Sequence, residues 1–426
     1  MAVTIFSIFL LLLVIKIPVS FCLAISSVMA LVLVGTTDPL IVVQRLCRSV
    51  ESFSLIAIPF FVLSGGFMDS GGISKRLVNF ASSLVGHIKG GLAMISILAA
   101  MFFAGISGSG AADTAAIGSI LIPAMESKGY GKDFATSVMA TAGSIGIIIP
   151  PSIPMVVLGV TAGISIGGLF LGGVIPGILV GLALMTTSWL FASARKLPSE
   201  KRATWSERWA CFKESILALM TMVIIMGGIL GGIFTPTEAS VIAAIYAFFV
   251  GMFVYKELRW KDLPGIMVRA IVTTSVVVFC IAAASSFGWI LAAEHVPDKM
   301  AAFLFSITQD RFWILMLMNA LLLFLGTFLD VAPILIIVIP VIWPIAQQLG
   351  VSPIHFGVMT IVNMAIGQCT PPVGVTFFVA MGISKIRLGD MLRTYLLFIG
   401  AMILVLVLIT AFPILITGLP GYVLGI

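Results

Sequence analysis

Two aspartates, Asp113 and Asp330, lie in the middle of apolar, glycine-rich stretches of this sequence. The first stretch, residues 103–123, reads FAGISGSGAADTAAIGSILIP, and the second, residues 324–340, reads FLGTFLDVAPILIIVIP. A carboxylate at membrane depth costs roughly 3 kcal/mol or more, so its presence there indicates a functional site. Such an aspartate can ligate a cation or support a substrate site, and it can also cap the helix that follows it. The sequence alone leaves both roles open for each aspartate.

The two stretches belong to a repeated pattern. The same distance along the chain separates Asp113 from Asp330 and Pro123 from Pro340, and GSIGIIIPPS at 143–152 matches GQCTPPVG at 367–374 at nearly that spacing. The candidate ion- and substrate-binding residues of these four stretches are Ser107, Ser109, Asp113, Thr114, Gly143, Ser144, Pro150, Ser152, Thr327, Asp330, Gly367, Thr370, Pro371 and Gly374. Among them we expect Na⁺ ligands at Ser107, Ser109, Ser144, Thr327, Asp330 and Thr370. Any single hydroxyl is equally able to bond back to its own helix.

Glycine, serine and paired proline in mid-segment break a helix and free its backbone groups. In lipid each unsatisfied group costs several kcal/mol, so a broken backbone survives only inside protein or beside a watery cavity. Half-helix N-termini then attract anionic substrate groups, while unwound carbonyls coordinate Na⁺. Interrupted segments at matching places in two halves therefore predict a transport site near the membrane midplane.

The composition requires a membrane environment around these segments. Of 426 residues 60% are hydrophobic and 9% are charged, with a mean hydropathy of +1.23, whereas a soluble domain carries about 25% charged residues. The net charge of +6 comes from basic residues in short loops, so it indicates membrane orientation and not a nucleic-acid partner. The five scattered cysteines and the lack of a GxxxxGK[ST] motif give no support to a metal centre or to direct use of ATP.

Spanning a bilayer takes about 20 apolar residues, and the sequence offers two kinds of candidate. Uniformly apolar segments lie at 3–35 (bent near Pro18), 53–69, 166–194, 214–234, 238–255, 270–293 and 393–415. Interrupted segments lie at 91–125, 134–160, 313–346 and 356–382. A surface helix at 40–50 would reconcile the basic residues on both sides of 53–69.

Basic loops predict the orientation. Six Lys and Arg residues in 195–213 and four in 256–269 place both loops in the cytoplasm. Counting from them, 91–125 enters and leaves on the cytoplasmic side, and 313–346 does so on the opposite side. We therefore predict an all-α polytopic membrane protein with inverted-topology repeats, two re-entrant helical hairpins and broken helices. The turn at Thr235 to Glu238 has the pattern of a capping box, which explains Glu238 unless it has a functional role.

At these residues the sequence resembles the large membrane subunit of the tripartite ATP-independent periplasmic (TRAP) transporters, over nearly the whole chain. The most specific segments are AIPFF at 57–61, 105–114, GGIFTPTEA at 231–239 and TPPVG at 370–374. The resemblance implies an elevator-type carrier with a static scaffold and a mobile transport domain. It suggests N-terminal scaffold helices at 1–90, a first transport repeat at 91–165, central scaffold helices at 166–311, a second transport repeat at 312–382 and a C-terminal helix at 383–426.

The resemblance also implies partners and energy source. Na⁺ is the expected coupling ion, with no other cofactor. One Na⁺ site joins the first hairpin tip, 105–114, to the first broken loop, 143–152, and a second joins their counterparts, the tip at 326–333 and the loop at 367–374. The expected partners are a periplasmic substrate-binding protein and a small four-helix membrane subunit, the latter a separate chain because no further spans precede the first repeat. The expected substrate is an organic acid such as a C4-dicarboxylate, sialic acid or a sugar acid, taken up through the bacterial inner membrane.

Other functions fit the sequence less well. Gly105-Ile-Ser107-Gly matches an intramembrane serine protease pattern, but the three histidines fall at predicted loop edges and leave Ser107 without a base, so we do not expect an enzyme. A channel lacks a repeated filter motif. A stand-alone ion- or proton-coupled organic-anion carrier or antiporter suits the repeats and aspartates equally well, and only the family segments argue against it.

Overall fold

The computed structural model describes residues 1–34 and 38–425, and its regular elements are helices. In chain order the α-helices of the first half are α1 Ala2–Val14, α2 Val19–Val34, α3 Leu40–Ser49, α4 Ala57–Ser70, α5 Ile73–Val85, α6 Gly91–Ser107, α7 Gly110–Ser127, α8 Lys132–Ser144, α9 Ile153–Ala162 and α10 Ile166–Ala194. Those of the second half are α11 Trp205–Leu230, α12 Pro236–Phe249, α13 Leu263–Ala293, α14 Val296–Ile307, α15 Arg311–Gly326, α16 Val331–Ile337, α17 Ile339–Gln348, α18 Pro353–Cys369, α19 Val375–Ser384, α20 Leu388–Ala411 and α21 Ile414–Leu424. Short 3₁₀ turns lie at Phe53–Ile56, Ile145–Ile147 and Trp260–Asp262, and a π-helical turn ends the α12 segment at Val250–Val254.

Among the described residues six helices are long and apolar enough to cross a bilayer. The six are Phe53–Ser70, Ile166–Ala194, Trp205–Leu230, Pro236–Val254, Trp260–Ala293 and Leu388–Ala411. Counting the pair α16 and α17, bent by 55°, as one broken span gives seven among the described residues. These helices confirm the predicted spans from 53–69 onward. The predicted segment 3–35 forms two helices with a break at Ile15–Pro18. Position 35 of that segment and Ile426 of the C-terminal segment lie outside the described residues.

Several boundaries differ from the prediction for identifiable reasons. The span predicted at 214–234 begins at Trp205, because Thr204 and Glu207 form a capping box that starts the helix inside the polar loop. The surface helix expected at 40–50 is present as α3. The helix α5 was not predicted, since its apolar residues occupy one face only and its polar face carries Lys75 and Arg76.

The first interrupted segment folds back on itself. The helices α6 and α7 pack together on either side of Gly108, whose φ of +63° suits glycine, and of Ser109. At the opposite end, the Leu92 N–H at the beginning of α6 donates to the Tyr130 hydroxyl just beyond α7, at 3.3 Å. A segment whose two ends meet in this way has the shape of a hairpin, which is the shape that the predicted re-entry requires.

The two repeats exchange helices. The helix α9, which follows the first broken loop, packs against α16 and α17 of the second hairpin region. Reciprocally α19, which follows the second broken loop, packs against α7 and α8. This crossed packing is expected of two halves related by a pseudo-twofold axis, and it brings all four interrupted stretches into one region. A separate group, in which α4 packs against α12 and α13, and α5 against α11, lies beside the α6–α7 hairpin.

A polar cluster ties the ends of three helices together on the side predicted to be cytoplasmic. Arg195, after α10, donates to the Asp133 carboxylate at 2.9 and 3.2 Å, and Thr394 of α20 donates to it at 2.8 Å. Burial of Asp133 acts to raise its pKa, but the bonds from Arg195 and Thr394 outweigh it and hold that pKa below its ordinary value.

Candidate functional site

Asp113 is fully buried at the beginning of α7. One carboxylate oxygen, Oδ1, accepts a hydrogen bond from the Ser107 hydroxyl across the hairpin tip, and the other, Oδ2, has no hydrogen-bond partner among the described residues. The helix begins after Ser109, so Asp113 sits inside its first turn and does not cap it. A buried carboxylate oxygen without a partner is costly. Of the two roles left open for Asp113, the geometry therefore favours cation or substrate binding over capping.

The first hairpin tip lies against the first broken loop. Gly143 approaches α7 so closely that an alanine side chain there would come within 1.8 Å of the Thr114 hydroxyl oxygen, and one at Gly146 would come within 2.1 Å of Asp113 Oδ2. The Ile153 N–H donates to the Gly108 carbonyl at 3.4 Å. The first tip and the first loop are thus in contact, as expected. This close approach requires glycine at positions 143 and 146, because a larger side chain there would collide with α7.

Residues of the second repeat complete this site, which sequence reasoning missed. An alanine side chain at Gly110 would come within 2.7 Å of Gln368 Oε1 and 3.1 Å of the Gly143 carbonyl oxygen. Gln368 Oε1 is a second buried oxygen without a partner among the described residues, while the Gln368 carbonyl accepts from Thr376 at 2.9 Å. The available signal was Gln368 itself, a polar amide side chain in the GQCTPPVG stretch beside Thr370. Its contact with the other repeat depends on tertiary packing.

The second tip also meets its own loop, but its aspartate differs from Asp113. The Val373 N–H donates to the Thr327 carbonyl at 3.1 Å, and an alanine at Gly326 would come within 3.1 Å of the Gly367 Cα. Asp330 is exposed, and its Oδ1 accepts from the Val331 N–H at 2.8 Å as the N-cap of α16. The capping role is therefore present at Asp330, and the two aspartates of the repeat are not equivalent in this conformation.

The remaining predicted residues lie at the helix breaks. The hydroxyls of Thr114, Ser144, Ser152, Thr327 and Thr370 all donate to backbone carbonyls within eight residues of themselves. Their protons are thus used locally. The Ser152 oxygen also accepts from the Met155 N–H as the N-cap of α9, and the other four oxygens stay available to a cation. Ser109 is partly exposed, and its side chain donates no such bond within the part of the chain that the structure describes. Pro150 and Pro371 begin the two Pro-Pro pairs, both joined by cis bonds, and Gly374 closes the second loop through its N–H to the Thr370 carbonyl at 3.1 Å.

A cavity of about 580 Å³ opens beside the first tip, within the usual size of small-molecule sites. One wall is the hairpin, including Ser107 and Ser109, and the other is formed by α4, α5 and α13. The second wall carries the charged groups Asp69, Lys75 and Arg269. From the sequence, the basic residues around 53–69 and in 256–269 serve only as orientation signals, whereas the cavity places Lys75 and Arg269 where an anionic ligand would meet them.

Two further sequence interpretations can be compared with the structure. Glu238 forms the capping box with Thr235, whose N–H and hydroxyl both donate to Glu238 Oε2, at 2.8 and 2.9 Å. His355, expected at a loop edge, is instead buried in the first turn of α18 and bonds to the Ile409 carbonyl. Because the Ser107 hydroxyl donates to Asp113, the geometry adds nothing in favour of a serine nucleophile with a histidine base.

Comparison with known proteins decides the family. Residues 6–415 match the family described as "Tripartite ATP-independent periplasmic transporter, DctM component". The chain belongs to the DctM family of TRAP transporter large permeases. The family resemblance of the sequence is thereby confirmed.

Relatives of this DctM-family permease differ in the substrates their names give. It is 42% identical over 96% of its length to the isethionate TRAP permease DctMQ of Oleidesulfovibrio alaskensis, and spans 64% of that protein. It is 40% identical to the C4-dicarboxylate large permease DctM of Pseudomonas aeruginosa, covering 89% of this chain and 88% of that one. It is 39% identical to the sialic acid large permease SiaM of Vibrio cholerae, covering 96% of both. These relatives are transporter permeases and not enzymes.

The fold has a counterpart among solved structures. The crystal structure of the Alcanivorax borkumensis YdaH transporter superposes with a TM-score of 0.61, covering 87% of each chain at 15% identity. At that identity the likeness concerns the fold alone, and it agrees with the predicted all-α polytopic architecture.

Proposed function

We propose that this DctM-family permease is the carrier subunit of an Na⁺-coupled system that takes up a small organic anion through the bacterial inner membrane. In this proposal a periplasmic binding protein delivers the substrate and a small membrane subunit assists. The whole works as an elevator, with α6–α9 and α15–α19 in the moving part. The substrate classes to test are those in the names of the relatives, namely C4-dicarboxylates, sialic acid, isethionate and 2,3-diketo-L-gulonate.

The observation that supports the proposal most is the unpartnered Oδ2 of buried Asp113. Beside it stand the unpartnered Gln368 Oε1 and the carbonyl of Gly143 around the first turn of α7. Hard cations prefer such oxygen ligands, so these residues suit Na⁺. A bound Na⁺ would neutralise Asp113 and so remove the cost of the buried charge. The second predicted site, with Thr327, Asp330 and Thr370, has only exposed or locally bonded oxygens in this conformation.

Coupling follows from charge. When Asp113 is ionised and no Na⁺ is bound, its buried negative charge repels an anionic substrate at the neighbouring Ser107 and Ser109 wall of the cavity. With Na⁺ bound, the same region is neutral, and the α7 N-terminus contributes partial positive charge. Substrate and Na⁺ therefore bind together more favourably than either binds alone.

Uptake into proteoliposomes tests this function. Liposomes holding the chain and its small membrane subunit are supplied with labelled succinate, isethionate or sialic acid, with and without an inward Na⁺ gradient and with and without the binding protein. We expect uptake of one anion that needs both. Uptake driven by a proton gradient and indifferent to the binding protein would instead support the stand-alone carrier.

A further inference from the structure

Two cations in the cavity beside the first hairpin tip have no ionic partner. Lys75 of α5 and Arg269 of α13 both line the cavity and are exposed to it, and neither forms a salt bridge within the described residues. The adjacent Arg76 provides a contrast, because it pairs with Glu257 at 2.7 Å and stacks on Tyr255 at 3.8 Å. The fold thus neutralises the basic residue outside the cavity and leaves the two inside it unpaired.

The third charged group of the cavity, Asp69, does not neutralise them. Its Oδ1 accepts a hydrogen bond from the Ser74 hydroxyl at 3.2 Å. The Asp69 carboxylate forms no salt bridge with Lys75 or Arg269, since its oxygens lie more than 4 Å from their nitrogens. The wall formed by α4, α5 and α13 therefore carries a net positive charge. Among the described residues, the opposite wall, formed by the hairpin, contributes hydroxyls and apolar groups but no charged side chain.

We propose that Lys75 and Arg269 form an anion-receiving subsite on the fixed wall of the cavity, which binds the carboxylate or sulfonate of the transported molecule after it leaves the hairpin tip. The inference rests on the proposed function, because it concerns the same organic anion. Arg269 offers the planar fork that suits a carboxylate or sulfonate, and Lys75 adds a mobile point charge. A cleft with one sign of charge and low-dielectric walls concentrates ions of the opposite sign.

This subsite predicts a chemical class for the substrate. A molecule that occupies the cavity has an anionic group at one end for Lys75 and Arg269, and hydroxyl or second acidic groups toward Ser107 and Ser109 at the other. Dicarboxylates, hydroxysulfonates and acidic sugars share this bifunctional pattern. Cations and neutral sugars do not.

The charge of the cavity can be measured without transport. Ser119 lines the cavity and is exposed, so Ser119→Cys places a thiol there, in a background with the accessible Cys47 and Cys211 replaced by serine. The purified protein is labelled with an anionic and with a cationic methanethiosulfonate reagent. We expect Lys75→Gln/Arg269→Gln to lower the ratio of anionic to cationic labelling rates about tenfold. The control Lys89→Gln/Lys261→Gln, which removes two exposed cations outside the cavity, is expected to change it less than twofold.

Protection by substrate tests binding at the subsite. Succinate, isethionate or sialic acid is expected to slow labelling of the protein that retains Lys75 and Arg269, and of the charge-conserving Lys75→Arg/Arg269→Lys variant, but not of the glutamine variant. The subsite is overturned if the ratio of anionic to cationic labelling rates is the same in the glutamine variant and in the control. It is also overturned if the substrate still slows labelling after both cations are lost. Uptake measured on the same proteins separates the two proposals. If labelling and protection depend on Lys75 and Arg269 but no Na⁺-driven uptake occurs, the proposed function is contradicted and the subsite is not. If uptake is normal but the labelling rates do not depend on these two charges, the subsite is contradicted and the proposed function is not.

Discussion

Replacing Asp113 by asparagine removes one negative charge with almost no change of shape. The side chain stays able to bond to Ser107, so the hairpin tip keeps its cross-link. The buried Oδ2 position, which has no partner within the described residues, loses its charge. If that oxygen binds Na⁺, Asp113→Asn acts mainly on Na⁺ affinity.

The burial of Asp113 sets the size of the effect. Two unit charges 4 Å apart attract by about 1 kcal/mol in bulk water and by about 4 kcal/mol at the effective dielectric constant of about 20 that describes protein sites. Since Asp113 is 0% exposed, the larger figure applies. One tenfold change corresponds to about 1.4 kcal/mol, so we expect Na⁺ affinity to fall about 1,000-fold, against about fivefold for an exposed site.

The thermal stability of the purified chain measures this affinity without partners or substrate. A ligand that binds only the folded state at 100 times its Kd stabilises that state by about 2.7 kcal/mol, so the unfolding temperature of the wild-type chain should rise when NaCl replaces KCl at constant ionic strength. In Asp113→Asn this rise should disappear. The matched control is Asp310→Asn, which alters an exposed N-cap aspartate far along the chain and should keep the full Na⁺ response.

One result would refute the reasoning directly. If Asp113→Asn unfolds at a temperature that depends on Na⁺ as strongly as the wild type does, Asp113 does not ligate the ion. A variant that is less stable in both salts, but by the same amount, would lead to the same conclusion.

Three further changes have defined outcomes. Asp330→Asn should change Na⁺ affinity less than tenfold and the free energy of unfolding by less than about 0.5 kcal/mol, because Asp330 is exposed and asparagine caps helices as well as aspartate does. A loss of Na⁺ affinity as large as that of Asp113→Asn would show that Asp330 is a ligand. Gly143→Ala should destabilise the chain by about 1–3 kcal/mol, since its methyl group collides with α7, whereas Gly227→Ala, with nothing within 4 Å, should not lower the unfolding temperature. Asp133→Asn should lower the unfolding temperature at neutral pH by removing the bond to Arg195. Because that bond lowers the pKa of Asp133, the advantage of the wild type should persist down to about pH 4 and fade below it, as unfolding scans between pH 3 and 7 will show.

The spans were predictable because the bilayer imposes a length and a composition on any helix that crosses it. The segment predicted at 166–194 coincides with α10, Ile166–Ala194. The helix α5, Ile73–Val85, escaped prediction because it is short and half polar, whereas a predicted span needs about 20 apolar residues. Helix ends set by capping, as at Thr204, moved boundaries by several residues for the same reason.

The site was predictable only in part. The aspartates, glycines and proline pairs identified the breaks, since few other residues interrupt a helix at membrane depth. Which oxygen faces which could not be predicted, because it depends on the crossed packing of α9 and α19. Thus Gln368 was overlooked, and Asp113 and Asp330, equivalent in the repeat pattern, differ in burial.

The contact between Gly110 and Gln368 joins residues that leave the ribosome far apart in time. Roughly 260 residues separate Gly110 from Gln368, and translation at about 5–20 residues per second takes on the order of 10–50 seconds to make them. Throughout that interval the nascent tip, with Asp113 in it, has no second-repeat loop to cover it. The hairpin therefore has to wait in water, in the insertion machinery or beside a temporary neighbour, and a chain stopped before residue 368 cannot bury this aspartate in its native surroundings.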